Sequence, residues 1–451
     1  MKVAVVGAGV AGLGAAWLLS KQHDVVVYER EDRFGGHSCT VDAPARSGHQ
    51  PVDVGFIVFN ERNYPNLVAL LDHLGVATEN SDMSFAVSLD RGRFEYGSSF
   101  ASYFAQRRNV VRPSFLRMTH DILRFNRLAP QLLERSEDLD FTIGDFVDEA
   151  GFGAAFRDRY LVPMAACIWS TPIGRMLDYP AQTFVRFFNN HGLLTVGSQL
   201  SWRTVSGGSR SYVDRIVTPL RQRARLGTPA SAVRRDVDGA HVRDAAGHWD
   251  RFDKVILACH ADQALALLSD ADAPERDLLG RFAYSSNEVW LHADATLMPR
   301  RRSAWSSWNY VADGEDRDSA VSVTYWMNRL QSLADDAPLF VSVNPARTPQ
   351  SALQRFTFEH PMYDAGAIRA QRGLHALQGV RDTYFCGSYC GYGFHEDALS
   401  AGLDVAEQLG VRRPWLKPHE HRRIGDPPRV VADLPSLNPP PLPAAARMPV
   451  S

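Results

Sequence analysis

Lysine is nearly missing from this chain. Of 49 basic residues in 451, only Lys2, Lys21, Lys254 and Lys417 are lysines, so arginine supplies the other 45. Any chemistry that needs a titratable side-chain amine is confined to those four places. Cysteine is scarce too. Cys39, Cys167, Cys259, Cys386 and Cys390 are scattered and odd in number, which excludes a disulfide scaffold and suits free thiols in a reducing cytoplasm. Cys386 and Cys390 have no second pair to complete a zinc site. They read as packing residues around a glycine turn, and no metal is expected. No apolar run approaches the roughly 18 residues of a membrane span. The net charge is only -2, so no global field draws nucleic acid. The chain opens directly on its first predicted strand, leaving no room for a secretory signal. What remains is a cytoplasmic globular class, with 45% hydrophobic residues and length enough for two or three domains.

Against these absences, the stretch from Val3 to Arg30 is rich in signal. Val3 to Val6 is a short apolar run, as a buried parallel strand requires. Gly7, Gly9 and Gly12 follow in GxGxxG spacing, then a helical stretch to about Ser20 and a second strand from Val25 to Tyr28. The first glycine turns the chain out of the strand, the second admits a pyrophosphate to the backbone, and the third lets helix and strand pack closely. The helix N-terminus through Val10 and Ala11 offers free N–H groups to the phosphates. Glu29, 22 residues after Gly7, stands where a carboxylate accepts both ribose hydroxyls, and it disfavours a 2′-phosphate there. By themselves these residues specify a dinucleotide, NAD or FAD alike.

Further motifs narrow the choice. Arg33-Phe34-Gly35-Gly36-His37 follows the second strand, and Val52-Asp53-Val54-Gly55-Phe56 reads as a strand with a glycine. On these blocks the chain resembles the FAD-containing amine oxidase and phytoene desaturase superfamily, whose members carry GxGxxG, an acid ending the second strand, RxGGR and a later D-x-G. Here His37 replaces the last arginine of RxGGR. Near the C-terminus, Gly387-Ser388 and Phe394-His395-Glu396-Asp397 precede a helix predicted to begin near Ala398 with Asp397 as its cap. The resemblance implies that this helix end faces the flavin. The cofactor residues selected are Gly7, Gly9, Val10, Ala11, Gly12, Glu29, Arg30, Gly35, Gly36, His37, Gly55, Phe56, Gly387, Ser388, Phe394, His395, Glu396, Asp397 and Ala398. Monoamine-oxidase-type members link flavin to a cysteine well upstream of the C-terminal flavin block; no cysteine lies between Cys259 and Cys386 here, so FAD is expected to be non-covalent.

The middle of the chain carries substrate signals. Phe187-Phe188-Asn189-Asn190-His191-Gly192, Trp202 and the block around Trp169 are aromatic and apolar, as a cavity for an apolar ligand would be. Residues 281 to 345 are strand-rich and suit an antiparallel sheet. Residues 100 to 135 interleave Arg107, Arg108, Arg112, Arg117, Arg124 and Arg127 with apolar residues, and Asp121 is the one acid between Arg107 and Arg127. That pattern fits either a solvated amphipathic helix or a membrane-surface helix at the inner face of the membrane. Eight prolines in the last 26 residues read as an extended tail.

The blocks NNHGLL, SWRTVSGGSRSYV, TYWMNRLQ and GYGFHEDALSAG resemble one subgroup in particular. These are bacterial oxidoreductases similar to the N-terminal flavin domain of plant cyclopropane fatty acid synthases. The resemblance implies an α/β fold: a Rossmann-type FAD domain (1–65, 205–280, 375–411) with an inserted α+β substrate domain (66–204, 281–374), followed by the tail (412–451). It implies hydride transfer from an unsaturated or branched acyl chain to flavin N5, giving desaturation or isomerisation. His191, Glu288 and His360 are the candidate acid/base groups. Two other readings stay open: an amine or small-molecule oxidase, and a non-catalytic flavoprotein partner of a lipid methyltransferase. A superfamily amine oxidase commonly places a lysine near flavin N5, and Lys254 at the start of a Rossmann strand is ill-placed for that.

Overall fold

The strand Lys2–Val6 is apolar on both faces because both faces are covered, and Val3, Ala4 and Val5 are fully buried. In the computed structural model, which describes residues 1–46, 48–169, 173–195, 200–312, 322–334 and 337–415, this strand lies at the centre of a five-stranded sheet. The order is Ala224–Arg225, Asp24–Tyr28, Lys2–Val6, Lys254–Leu257, Thr383–Phe385, and all neighbours are parallel. Three widely separated stretches of chain thus meet in one sheet. Ser170 to Pro172, Lys417 and the tail from 416 onward lie outside the described residues.

The helix Val10–Leu19 is buried at every position, with the sheet on one side and the C-terminal helix His395–Gln408 on the other. Two glycines allow that contact. A Cβ at Gly402 would overlap the Ala11 carbonyl oxygen, and one at Gly14 would come within 2.8 Å of Leu399. The C-terminal helix begins at His395, three residues earlier than the sequence suggests. Asp397 is the reason: its carboxylate reaches back to the N–H groups of Phe394 (2.9 Å) and Tyr392 (3.0 Å) from inside the first turn, rather than from the cap position.

A second sheet has seven strands, ordered Ala352–Met362, Ala283–His292, Phe340–Val343, Val323–Trp326, Trp308–Ala312, Phe85–Leu89 and Phe94–Gly97. Every pair is antiparallel except Trp308–Ala312 with Phe85–Leu89. Alternation along Ala283–His292 buries Asn287, Val289 and Leu291, and turns Glu288 and Trp290 to the other face. Residues 100–135 form the helix Pro113–Leu128 flanked by short 3₁₀ turns, with Phe115, Met118, Asp121 and Phe125 facing inward. Among the described residues no helix is long and apolar enough to cross a membrane.

The helix contact at Gly402 is open to direct test. Gly402→Val should lower stability by about 1–3 kcal/mol through overpacking against the Ala11 backbone. Thermal melting of flavin-free protein measures it, and an unchanged midpoint would contradict the close contact.

Candidate functional site

The glycine loop leaves an open cradle. Gly9 has an ordinary φ of -72°, and a Cβ built on it would meet nothing within 4 Å. Gly36 borders the same space: a Cβ there would lie 3.1 Å from the Gly9 Cα. Gly35 donates its N–H to the Ala8 carbonyl at 2.8 Å, which ties the second glycine loop to the first. Gly12 serves packing instead, since a Cβ there would strike the Gly7 carbonyl. Glu29 is buried at the end of its strand and receives the N–H groups of Ala8 (2.7 Å) and Glu31 (2.9 Å). A carboxylate has about four acceptor positions, so two remain for ribose hydroxyls. The buried acid and the open glycine backbone fit the ADP half of a dinucleotide. The two arginines are used differently: Arg33 donates to the Gly36 carbonyl (2.7 Å), and exposed Arg30 pairs with Glu31 (3.4 Å).

Beyond the cradle, four distant segments converge on His37. Its carbonyl receives the N–H groups of Phe56 (2.7 Å) and Cys39 (3.0 Å), and Gly55 passes too close beneath it for a side chain. The Phe56 ring stacks on His395, with centroids 3.8 Å apart and planes 10° apart. His395 Nε2 lies 2.7 Å from the Tyr212 hydroxyl, which also bonds Ser38 Oγ. The His37 ring lies 4.9 Å from Phe358 and 5.4 Å from His360, and its buried Nε2 has no hydrogen-bond partner among the described residues. Burial, then the neighbouring His360, His260 and His395, holds His37 well below the ordinary histidine range, and burial takes His395 down to about 3. These imidazoles are neutral at pH 7. Tyr212 lies in the SWRTVSGGSRSYV block, but nothing in the sequence singled it out as a partner of His395.

The rest of the C-terminal block is divided between two tasks. Phe394 stacks on Phe187 (4.9 Å), and Ala398 is buried in the helix. The Ser388 carbonyl receives the Tyr363 hydroxyl (3.2 Å) beside Gly387, whose added Cβ would come within 2.7 Å of the Tyr389 ring. Glu396 turns toward the helix Pro65–Leu74 and accepts the N–H groups of Asn66 and Leu67, both at 2.9 Å. It is thus held by a helix end, and burial raises it to about 7.

The three acid/base candidates separate. His191 stacks on Phe187 (3.8 Å) and lies 5.9 Å from Phe394. Its Nδ1 is 2.9 Å from the Phe187 carbonyl, which can only accept, so the proton sits on Nδ1 and Nε2 is a bare acceptor. His360 has the opposite tautomer, fixed by a relay. The Glu288 backbone N–H donates to Asn344 Oδ1 (2.8 Å), Asn344 Nδ2 donates to Asn287 Oδ1 (2.7 Å), and Asn287 Nδ2 donates to His360 Nδ1 (2.9 Å). The starting donor is a backbone N–H, so each amide orientation follows and His360 carries its proton on Nε2. Burial lowers both histidines to about 4. Glu288 is not brought to this group. It lies on the outer face, bonded to Trp290 and to Arg355 (3.1 Å). Its neighbour Asn287 is the inward residue, and strand parity was the signal that could have found it.

The profile of the flavin containing amine oxidoreductase family matches residues 10–334. No significant match is found among curated proteins. Among solved structures, the chain is similar to a CLA-producing fatty acid isomerase from P. acnes, at 16% identity and TM-score 0.68, covering 91% of this chain and 98% of that one. It is similar to a putrescine oxidase bound to putrescine, at 17% identity and TM-score 0.63, covering 91% and 99%. A cyclohexylamine oxidase from Brevibacterium oxydans gives 16% and 0.67, covering 90% and 99%. At such identities these likenesses speak for the fold alone.

Two outcomes follow from this geometry. Gly9→Val should fold normally, because its side chain enters open space, yet retain flavin roughly ten- to a hundredfold less well, as overpacking of about 1–3 kcal/mol implies. A fully yellow variant would contradict the cradle. Asn287→Asp should place a carboxylate against His360 Nδ1 and move its titration upward from about 4. NMR titration of the histidine ring checks this, and an unmoved midpoint would contradict the relay.

Proposed function

The chain belongs to the flavin containing amine oxidoreductase family, and from that premise we propose that it holds FAD non-covalently and takes hydride from an unsaturated or branched acyl chain, giving desaturation or isomerisation. The proposed division of labour puts the cofactor on 1–65, 205–280 and 375–411 and the substrate on 66–204 and 281–374. When bound, flavin supplies a hydride acceptor at N5. The supporting observation is the wall beside the C-terminal block: Phe187 stacks on His191 and packs with Phe394 and Tyr392, an aromatic surface whose imidazole is neutral. Such a wall favours an uncharged chain and excludes water from it.

The two histidines have complementary roles in this reading. Hydride loss beside a double bond leaves a carbon centre whose neighbouring proton is acidic, so a weak base suffices. His191 offers a bare Nε2 for that proton at any pH above about 4. His360 offers a fixed N–H donor next to His37. Loss of that proton, with the electron pair passed to an external acceptor, completes a desaturation; keeping the proton and returning the hydride to another carbon of the cation gives an isomer. Amine oxidation is the second reading, because aromatic faces also attract ammonium groups. Lysine placement counts against it: Lys2 and Lys21 lie over the rings of Phe252 (4.6 Å) and Trp17 (4.0 Å), and Lys254 pairs with Asp382.

Anaerobic mixing of the yellow protein with an unsaturated or methyl-branched phospholipid should bleach flavin absorbance, whereas amines should leave it unchanged. Bleaching by amines alone would sink the acyl reading. No bleaching by either would favour an accessory role beside a lipid methyltransferase.

A further inference from the structure

Five of the eleven exposed large hydrophobic side chains among the described residues fall within residues 100–123: Phe100, Val110, Val111, Leu116 and Leu123. Phe100 and Val111 are 87% and 77% exposed, far beyond what a solvated loop needs. They alternate with arginines. On the helix Pro113–Leu128 the outward positions include Leu116, Arg117, His120, Leu123 and Arg127, with no acid among them. The one acid of the stretch, Asp121, is turned inward, where it accepts the Gly153 N–H (3.1 Å) and pairs with Arg124 (3.2 Å). Among the described residues Arg124 is the only arginine from Arg107 to Arg127 paired with a carboxylate.

The remaining guanidiniums are gathered rather than dispersed. Arg93, Arg108 and Arg112 line one open cleft of about 430 Å³. Arg108 and Arg112 both reach the Arg93 carbonyl, not a carboxylate. Val110 and Val111 protrude from the segment between Arg108 and Arg112, so the cationic cleft and exposed apolar side chains share one short stretch and call for an anion with apolar surface around it. A nucleic acid would leave the valines, leucines and phenylalanine in water, and a free phosphate would ignore them. An anionic bilayer satisfies both, with headgroup phosphates at the arginines and the apolar side chains in the acyl boundary.

We propose that residues 93–127 form a docking surface for an anionic phospholipid bilayer. The inner side of the same helix reaches the aromatic wall of the site, since Phe125 lies 6.4 Å from Phe188 and Phe188 6.4 Å from Phe187. Docking would therefore hold the wall close to a lipid source, and this one link rests on the acyl reading. The surface itself does not.

Sedimentation with vesicles tests it on the full flavin-bound chain. Vesicles of phosphatidylcholine with about a third phosphatidylglycerol should carry the protein down, pure phosphatidylcholine should not, and salt should release it. Arg108→Glu with Arg117→Glu should weaken binding by about tenfold or more. Phe100→Ser with Val111→Ser should weaken it at every salt concentration. Flavin content and melting temperature, unchanged in both pairs, show that folding is intact. No binding to anionic vesicles would overturn the proposal. So would binding indifferent to both pairs, nucleic-acid binding without vesicle binding, or a dimer that the same substitutions dissolve. Because the readout is sedimentation and not bleaching, its failure leaves the acyl reading standing, and the converse also holds.

Discussion

A buried carboxylate holds the two halves of this molecule in register. Asp53 accepts the Ser209 N–H (3.0 Å) and hydroxyl (2.7 Å), the Thr40 hydroxyl (2.6 Å) and the Gln331 amide (2.9 Å). Its own N–H donates back to Gln331 Oε1 at 2.8 Å. Gln331 lies in the connection between the strands Val323–Trp326 and Phe340–Val343 of the second sheet, Thr40 begins the hairpin after the glycine loops, and Ser209 starts the helix that leads back into the parallel sheet. Burial raises Asp53 to about 6, against the pull of those donors. A buried carboxylate is costly unless its acceptor positions are filled, so the three segments must arrive together or not at all. With them in place, Gly55 can lie under the His37 carbonyl and Phe56 can stack on His395.

In the proposed reaction proton position matters more than charge. Around His37 the imidazoles are neutral because they are buried together, and each additional cation would be penalised by the others. What differs between His191 and His360 is the nitrogen that carries hydrogen, and in each case one carbonyl or amide decides it. A site built this way can orient donors and acceptors around an uncharged substrate without presenting it with a fixed ion. Near the glycine loops Arg33 is spent on a loop carbonyl, and the buried arginines Arg235 and Arg413 are each paired with carboxylates away from the histidines.

Where the sequence was readable, the signal was local. The glycine loop, its strands and Glu29 are contiguous, and their backbone demands are met by composition alone. The D-x-G pair was visible as a motif, but its task was not, because Asp53 acts on residues 156 and 278 positions away. Tyr212 and Asn344 were illegible for the same reason: each is an ordinary residue until a distant partner arrives. Glu288 was chosen by chemistry type, and the parity of its strand turns its neighbour Asn287, not Glu288, toward His360. The C-terminal helix start was misplaced because an acid reaching back from the first turn looks the same in sequence as a capping acid.

The cradle around Gly9 and Glu29 is the claim on which everything else stands. Heat denaturation followed by chromatography of the supernatant tests it. One FAD per chain, wholly released, is the expected result. Flavin left on the precipitated protein, FMN in its place, or no flavin at all would contradict it.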